Sequence, residues 1–273
     1  MTLTFVKAHA YGNDFLFIKQ QLASNEQLSR LSQVVCDRHL GVGADGVVFY
    51  RQTADGAVMK LFNADGSAAE VSGNGVRCLG AILVDAFDPE KSGRRQADEI
   101  LIETDGGTKR LTLLETDPPR YTFRTYMGEP SGLERRVLDL ERESVDVVTL
   151  SIGNPQCVVL TSVLDPDRFA RLGPLLATHK AFPHGTNVEF VNLESPDRVR
   201  ILIWERGVGP TQSSGTGSCA AGVAAAAFGG ALRTLEVVSP GGCQLVDWAS
   251  DGVYLTGWAE ITARGEWVNL PDA

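Results

Sequence analysis

Two stretches of this chain follow one pattern: Ser72-Gly73-Asn74-Gly75-Val76-Arg77-Cys78 and Ser214-Gly215-Thr216-Gly217-Ser218-Cys219. Each sets a hydroxyl residue before Gly-x-Gly, and each runs into an apolar stretch that reads as a buried helix. The first spans Val76 to Phe87; the second, Ser218 to Phe228, is almost entirely Ala, Gly and Val. A glycine-rich turn lets backbone approach a ligand closely. A helix that begins there points its free N–H groups and the positive end of its dipole outward, which makes a seat for an anion such as a carboxylate. One copy alone reads as a turn that starts a helix. Two copies, nearly half a chain apart, imply two half-sites for one small acidic ligand. Ser72 and Ser214 are then the reactive candidates, and Gly73, Asn74, Gly215 and Thr216 the groups that hold the ligand.

The repeat favours two domains of similar build, and 273 residues are comfortable for two. An apolar fraction of 43% supports a substantial core. The net charge is −9 and no basic run occurs, which argues against nucleic acid or an anionic membrane as partner. The five cysteines, Cys36, Cys78, Cys157, Cys219 and Cys243, are scattered and form no CxxC pair, so free thiols in a reducing compartment are expected. Residues Met1 to Phe5 read as a strand instead of a signal peptide, and no apolar run reaches membrane-spanning length. A cytoplasmic protein is expected.

Order along the chain repeats as well. Leu3–Lys7 and Phe15–Ile18 read as strands. Glu26–Arg38 reads as a helix capped by Asn25, and the strands Val47–Tyr50 and Val58–Asn63 lead to the first Ser-Gly-x-Gly. Asp88–Asp98 reads as a loop, followed by a meander of Glu99–Thr104, Lys109–Thr116 and Arg120–Met127. Gly128–Gly132 is the expected hinge. The second half has strands Asp146–Ile152 and Gln156–Thr161, a short helix Asp165–Leu172, a possible second one from Pro174, and strands Thr186–Asn192 and Arg198–Glu205. After the second Ser-Gly-x-Gly come Leu235–Ser239, Gln244–Trp248, Val253–Thr256 and Trp258–Thr262. The expected fold class is α+β: two similar domains, each a curved, mostly antiparallel sheet wrapped around a central apolar helix, with the active site in the cleft between them. The first domain is expected to comprise 1–127 with a C-terminal strand at about 262–273, and the second 128–261.

Taken together, Gly12-Asn13-Asp14-Phe15, Asn63-Ala64-Asp65-Gly66-Ser67, the first Ser-Gly-Asn-Gly phrase, Gly153-Asn154-Pro155, and Trp204-Glu205-Arg206-Gly207-Val208-Gly209 with the second phrase resemble diaminopimelate epimerase, in order over nearly the whole chain. The resemblance implies a cofactor-independent epimerase that inverts one α-carbon of diaminopimelate by two-base chemistry, with no metal. It implies that Asn13, Asn63, Asn154, Asn187, Glu205 and Arg206 hold the substrate; Arg206 suits a distal carboxylate and Glu205 an ammonium. It also implies that a homodimer is possible.

The chain departs from that family where the chemistry lies. Ser72 and Ser214 stand where the family has cysteines, and Gln156 where it usually has a histidine; Ser213 also departs. Cys78 and Cys219, several residues further on, are expected inside the helices. A serine hydroxyl is weak until a neighbouring base activates it. Glu205 is the neighbour that the resemblance offers Ser214. The same pattern fits a diverged isomerase of the same fold acting on another small carbon acid, a catalytically silent amino-acid-binding paralogue, or a Cys-to-Ser trapped variant. His9, His39, His179 and His184 offer no metal-ligand pair, and the glycine-rich loop Gly41–Gly46 precedes a strand instead of opening a helix, so no cofactor is expected there.

Overall fold

A computed structural model describes residues 2–19, 24–87 and 99–268, and these divide into two compact units. The first comprises Met1–Thr125 and Gly257–Ala273, the second Tyr126–Thr256.

The first unit runs β1 (Leu3–Ala10), β2 (Asn13–Lys19), α1 (Asn25–Val35), β3 (Gly46–Gln52), β4 (Gly56–Asn63), β5 (Ala68–Ala69), α2 (Gly73–Asp85), β6 (Glu99–Thr104), β7 (Gly107–Asp117) and the start of β8 (Arg120–Gly128). Antiparallel pairs dominate. Among the described residues two pairs are parallel: β2 with β3 across the α1 crossover, and β4 with β6 across α2. Parallel neighbours need such a crossover, and a helix supplies it. The second unit repeats this plan with β9 (Ser131–Asp139), β10 (Ser144–Ser151), β11 (Pro155–Leu160), α3 (Pro166–Ala177), β12 (Asn187–Ser195), β13 (Arg198–Glu205), β14 (Gly209–Thr211), α4 (Gly215–Ala224), β15 (Thr234–Ser239), β16 (Gly242–Ala249) and the start of β17 (Gly252–Trp267). Here β11 pairs parallel with β12 across α3, and β13 with β15 across α4.

Each unit therefore has a core on both faces of its sheet. In the first, α2 packs inside against Phe17, Val48, Leu61, Leu111 and Phe123, and α1 covers the outer face over Leu16, Val47, Phe49 and Phe62. In the second, α4 packs against Val158, Val191, Ile201, Leu235 and Val246, and α3 covers Val159, Val188 and Phe190. Alternation along a strand explains the division: Val47 and Phe49 face out, Val48 faces in. Glycines let the central helices sit close. A Cβ on Gly80 would stand 2.6 Å from Leu111, and one on Gly222 2.8 Å from Val246.

Several elements differ from the sequence expectation. The helices begin at the serine phrases themselves, at Gly73 and Gly215, because each serine supplies the cap. The cap of α1 is Ser24, in a capping box with Gln27, and not Asn25. Helix α3 continues through Pro174, since Phe169, Leu172 and Leu176 stay buried along one side of it. Strand β9 was not expected: it is mostly exposed and rich in charge, so no alternation marks it. It forms because it pairs with β10, with Arg135 Nε donating to Asp146 at 3.0 Å across that pair. The last two expected strands are one, β17. The helix after Ser214 ends in a π-helical turn at Ala225–Gly229, closed by Gly230 at φ 85°. The expected loop at Asp88–Asp98 and the end of the expected C-terminal strand, 269–273, lie outside the described residues. Among the described residues, no helix is long and apolar enough to cross a membrane.

Candidate active site

Ser72 and Ser214 occupy the same local geometry. Both are helix N-caps in extended backbone, at φ −129°, ψ 122° and φ −137°, ψ 128°. Ser72 Oγ accepts from Gly75 N at 3.2 Å, and Ser214 Oγ accepts from Gly217 N at 3.3 Å. The next amides, of Val76 and Ser218, donate to the cap carbonyls at 2.9 and 3.0 Å. The N–H groups of Gly73 and Asn74, and of Gly215 and Thr216, precede the first intrahelical bond and point out of the helix end. With its oxygen accepting from the helix, each hydroxyl keeps its proton available to donate elsewhere. Sequence reasoning assigned the serines a reactive role and missed this capping role; Ser before a helix is its signal.

In the first unit, Asn74 at the helix start is joined by a side-chain network to Asn13. Asn74 Nδ2 donates to Asn13 Oδ1 at 3.1 Å, and Asn13 Nδ2 to Asp45 Oδ2 at 2.8 Å. Asn13 follows a turn in which buried Tyr11 takes φ 56°, a left-handed conformation rare for a bulky residue. Tyr11 is held by the backbone N–H of Trp258, which donates to its hydroxyl at 3.1 Å, and by the Trp258 ring at 4.4 Å. Arg77, fully buried, donates to Asn74 Oδ1 at 2.5 Å and lies 5.9 Å from the Tyr11 ring centre. Asn63 Nδ2 donates to Ser67 Oγ at 3.0 Å, and the following amide, of Ala64, donates to the Asp45 carbonyl at 3.0 Å. Asp45 and Asp14 are tied together by Arg38, which donates to both at 2.8 Å. Burial would raise the Asp14 carboxyl, but hydrogen bonds from Arg38 and Lys7 outweigh it and hold the group below its ordinary value. Asp45, Arg38 and Arg77 were missed as supports. Asp45 and Arg38 serve through contacts with Asn13 and Asp14, 32 and 24 residues away, which no local pattern betrays, whereas Arg77 reaches Asn74 within one helix turn.

In the second unit, Asn187 Oδ1 accepts from Arg206 N at 2.9 Å, and Asn187 is the register partner of Gln156. Gln156 is fully buried. Its Nε2 donates to Asn154 Oδ1 at 2.6 Å, and its Oε1 has no hydrogen-bond partner. Arg206 Nη1 donates to the His184 carbonyl at 3.0 Å. Arg206 also lines an open pocket of about 590 Å³ together with Trp204, Phe182 and His184; Ser214 is not part of its wall. Glu205 closes β13 opposite Gly209. Ser213 is buried beside Ser214, and its hydroxyl has no hydrogen-bond partner.

One more group at this helix end was missed. Glu189 on β12 is fully buried, and neither carboxylate oxygen has a hydrogen-bond partner. A Cβ on Gly217 would stand 2.7 Å from Glu189 Oε1 and 3.3 Å from Ser214 Oγ. Burial first, and the charge of Glu205 second, hold its carboxyl well above the usual carboxylate range. Its signal in the sequence is a lone acid in the otherwise apolar run Val188-Glu189-Phe190-Val191.

The cysteines of the helices do not replace the serines. Cys78 and Cys219 are both buried within α2 and α4, and burial pushes the Cys78 thiol to about 12. Such a thiol does not ionise near neutrality.

The chain matches the diaminopimelate epimerase family over residues 5–133 and 148–262. It is 40% identical over 286 aligned positions to the diaminopimelate epimerase of Desulforudis audaxviator, covering 97% of this chain and 99% of that one. It is 36% identical to that of Carboxydothermus hydrogenoformans, covering 97% and 99%. Among solved structures, its fold is similar to a hydroxyproline epimerase from Agrobacterium vitis (TM-score 0.74, 15% identity, 97% of this chain and 92% of that one). It is also similar to a probable proline racemase from Agrobacterium radiobacter (TM-score 0.73, 16% identity, 98% and 93%). Two serine-capped helix ends on a repeated α+β plan, with these relatives over nearly the full length, place the chain in the diaminopimelate epimerase family.

Proposed function

We propose that this protein is a cofactor-independent epimerase that inverts one α-carbon of diaminopimelate, converting the LL form to the meso form in lysine and peptidoglycan precursor synthesis. The observation that carries the reading is the pair of matching helix ends, Ser72-Gly73-Asn74 and Ser214-Gly215-Thr216, in a chain so similar to named diaminopimelate epimerases. One serine takes the α-proton and the other returns a proton to the opposite face of the carbon. The outward N–H groups of the two helices stabilise the charge that develops on the α-carboxylate. Asn13, Asn63, Asn154 and Asn187 orient the substrate, and Glu205 and Arg206 take its ammonium and distal carboxylate. The enzyme acts in the cytoplasm as a homodimer. The test is exchange of the α-hydrogen with solvent deuterium on LL- and meso-diaminopimelate at high enzyme concentration. Label at the α-carbon is expected, and its absence removes the reading. Restoring cysteine at both serine positions should raise the exchange rate by on the order of 10²-fold.

A second reading rests on the departures that the resemblance implies at Ser72 and Ser214, where it puts cysteines, and at Gln156, where it usually puts a histidine. On this reading the chain is an isomerase of a more acidic carbon, for which weaker bases suffice. Screening small amino and hydroxy acids for exchange separates the two, and exchange of diaminopimelate alone excludes the second.

A further inference from the structure

The fold does not require an acid at position 189. The two units repeat one plan, and Val48 holds in the first the place that Glu189 holds in the second. Each is the third residue of the strand that follows the outer crossover helix, Val48 paired with Phe17 and Glu189 with Val158. Each also lies beside the third residue of the central helix: a Cβ on Gly75 would meet a Val48 methyl at 3.7 Å, and one on Gly217 would meet Glu189 Oε1 at 2.7 Å. An apolar side chain therefore suits this position of the architecture. In its place the second unit buries a carboxyl with no hydrogen-bond partner, on the same side of Gly217 as the Ser214 hydroxyl: a Cβ there would stand 2.7 Å from Glu189 Oε1 and 3.3 Å from Ser214 Oγ. A buried polar group without a partner is costly, and its retention calls for a use.

We propose that Glu189 is the positioning residue that holds the proton for Ser214, and this rests on the reading of Ser214 as one of the two proton carriers. When the substrate carbon is protonated from this side, the Ser214 O–H bond breaks as the new C–H bond forms. The carboxyl proton of Glu189 then passes to Ser214 Oγ, leaving a carboxylate. When the proton is abstracted, each bond change runs in reverse. Two protons shift in sequence, so that the carbon gains one and Glu189 loses one while Ser214 ends as it began, and no oxidation or reduction occurs. The role answers the weakness of a serine: a hydroxyl alone neither takes nor gives a proton readily near neutrality, whereas a carboxyl with raised proton affinity does both.

The groups around Glu189 suit this. On β11, the neighbouring Cys157 thiol is itself raised by burial and by the charge of Glu189, so it does not compete as a base. On β13, Glu205 disfavours the ionised form. At the start of α4, Gly217 faces Glu189 Oε1 and Ser214 caps the helix. Glu189 is the sole carboxylate fully buried among the described residues.

The experiment compares wild type, Glu189→Gln and Ser214→Ala. Glu189→Gln keeps the side-chain shape and is expected to slow α-hydrogen exchange about 10²-fold with KM little changed, and to abolish the ionisation seen in the pH profile of kcat. Wild-type exchange and an unchanged pH profile in that variant overturn the inference. If the amide variant fails to fold, Glu189→Val reproduces the side chain of the first unit and is held to the same outcomes. Infrared difference spectra supply a readout independent of turnover. The protonated carboxyl band that vanishes in Glu189→Gln should titrate at a shifted midpoint in Ser214→Ala, and an unshifted midpoint overturns the inference. If the wild-type protein exchanges no diaminopimelate, the proposed function fails, while the infrared comparison still decides whether Glu189 and Ser214 share a proton.

Discussion

At the mouth of α2 the group beneath the serine is a valine and the buried charge is Arg77, five residues along the helix; at the mouth of α4 the group beneath the serine is Glu189, and the fifth residue is Cys219. The two ends share cap dihedrals within about ten degrees and the same serine-to-glycine hydrogen bond. Backbone symmetry therefore coexists with opposite buried electrostatics. The first end fixes its asparagines with a buried cation, and the second keeps an acid in reserve. An inversion that runs in both directions needs two proton carriers but does not need them to be chemically alike, and this difference is where the two halves can be told apart by experiment.

The largest expected effect tests the first end. Arg77→Ala removes a fully buried side chain that holds Asn74, and should cost about 2–5 kcal/mol in chemical denaturation. Cys219→Ala at the matching position should cost only about 1 kcal/mol. Equal losses would break the comparison. The likeness of the two ends is sharpened by Gly80→Ala and Gly222→Ala. Each would press a Cβ to within 3 Å of Leu111 or Val246 and should cost about 1–3 kcal/mol by overpacking.

The pH dependence of stability isolates Glu189. Its carboxyl binds a proton more tightly in the folded chain than in the unfolded one, whose value is about 4.3. The native state thus holds more protons above that pH. The contribution of the group is intact below about pH 4.3 and is lost as pH rises toward the folded value. Across that window the wild-type protein should lose about 1.4 kcal/mol per pH unit relative to Glu189→Gln in denaturant titrations. Curves that stay parallel would mean that the acid is not buried in its charged form's disfavour. The smallest effect is expected from the two cap-turn glycines. Gly217→Ala should cost about 1 kcal/mol against Glu189, and less in a Glu189→Val background. Gly75→Ala, which meets nothing nearer than 3.4 Å, should be neutral or gain a few tenths of a kcal/mol from helix propensity.

Much of this architecture was legible because it is written locally. Gly-x-Gly ahead of an apolar run announces a helix start, and the runs themselves announce burial on all sides, although the capping by Ser72 and Ser214 was not read from them. The strand expectations failed where pairing outweighs local pattern: β9 carries Glu134, Arg135 and Arg136 and is a strand only because β10 lies beside it. Pro174 suggested a break in α3, yet the apolar face of Phe169, Leu172 and Leu176 carries the helix through it.

By itself, the sequence determined the repeat, the family and the two Ser-Gly-x-Gly phrases. These depend on residue identity and short spacings, which chain geometry converts directly into caps and turns. The tertiary structure alone decided which side chains stand behind those helix starts. Asp45 and Asn74 on Asn13, and Glu189 beside Gly217, are brought together by strand register and crossover helices, over separations of 32 and 61 residues in the two hydrogen-bonded pairs on Asn13. Their chemistry follows from burial, which no single position in a chain announces.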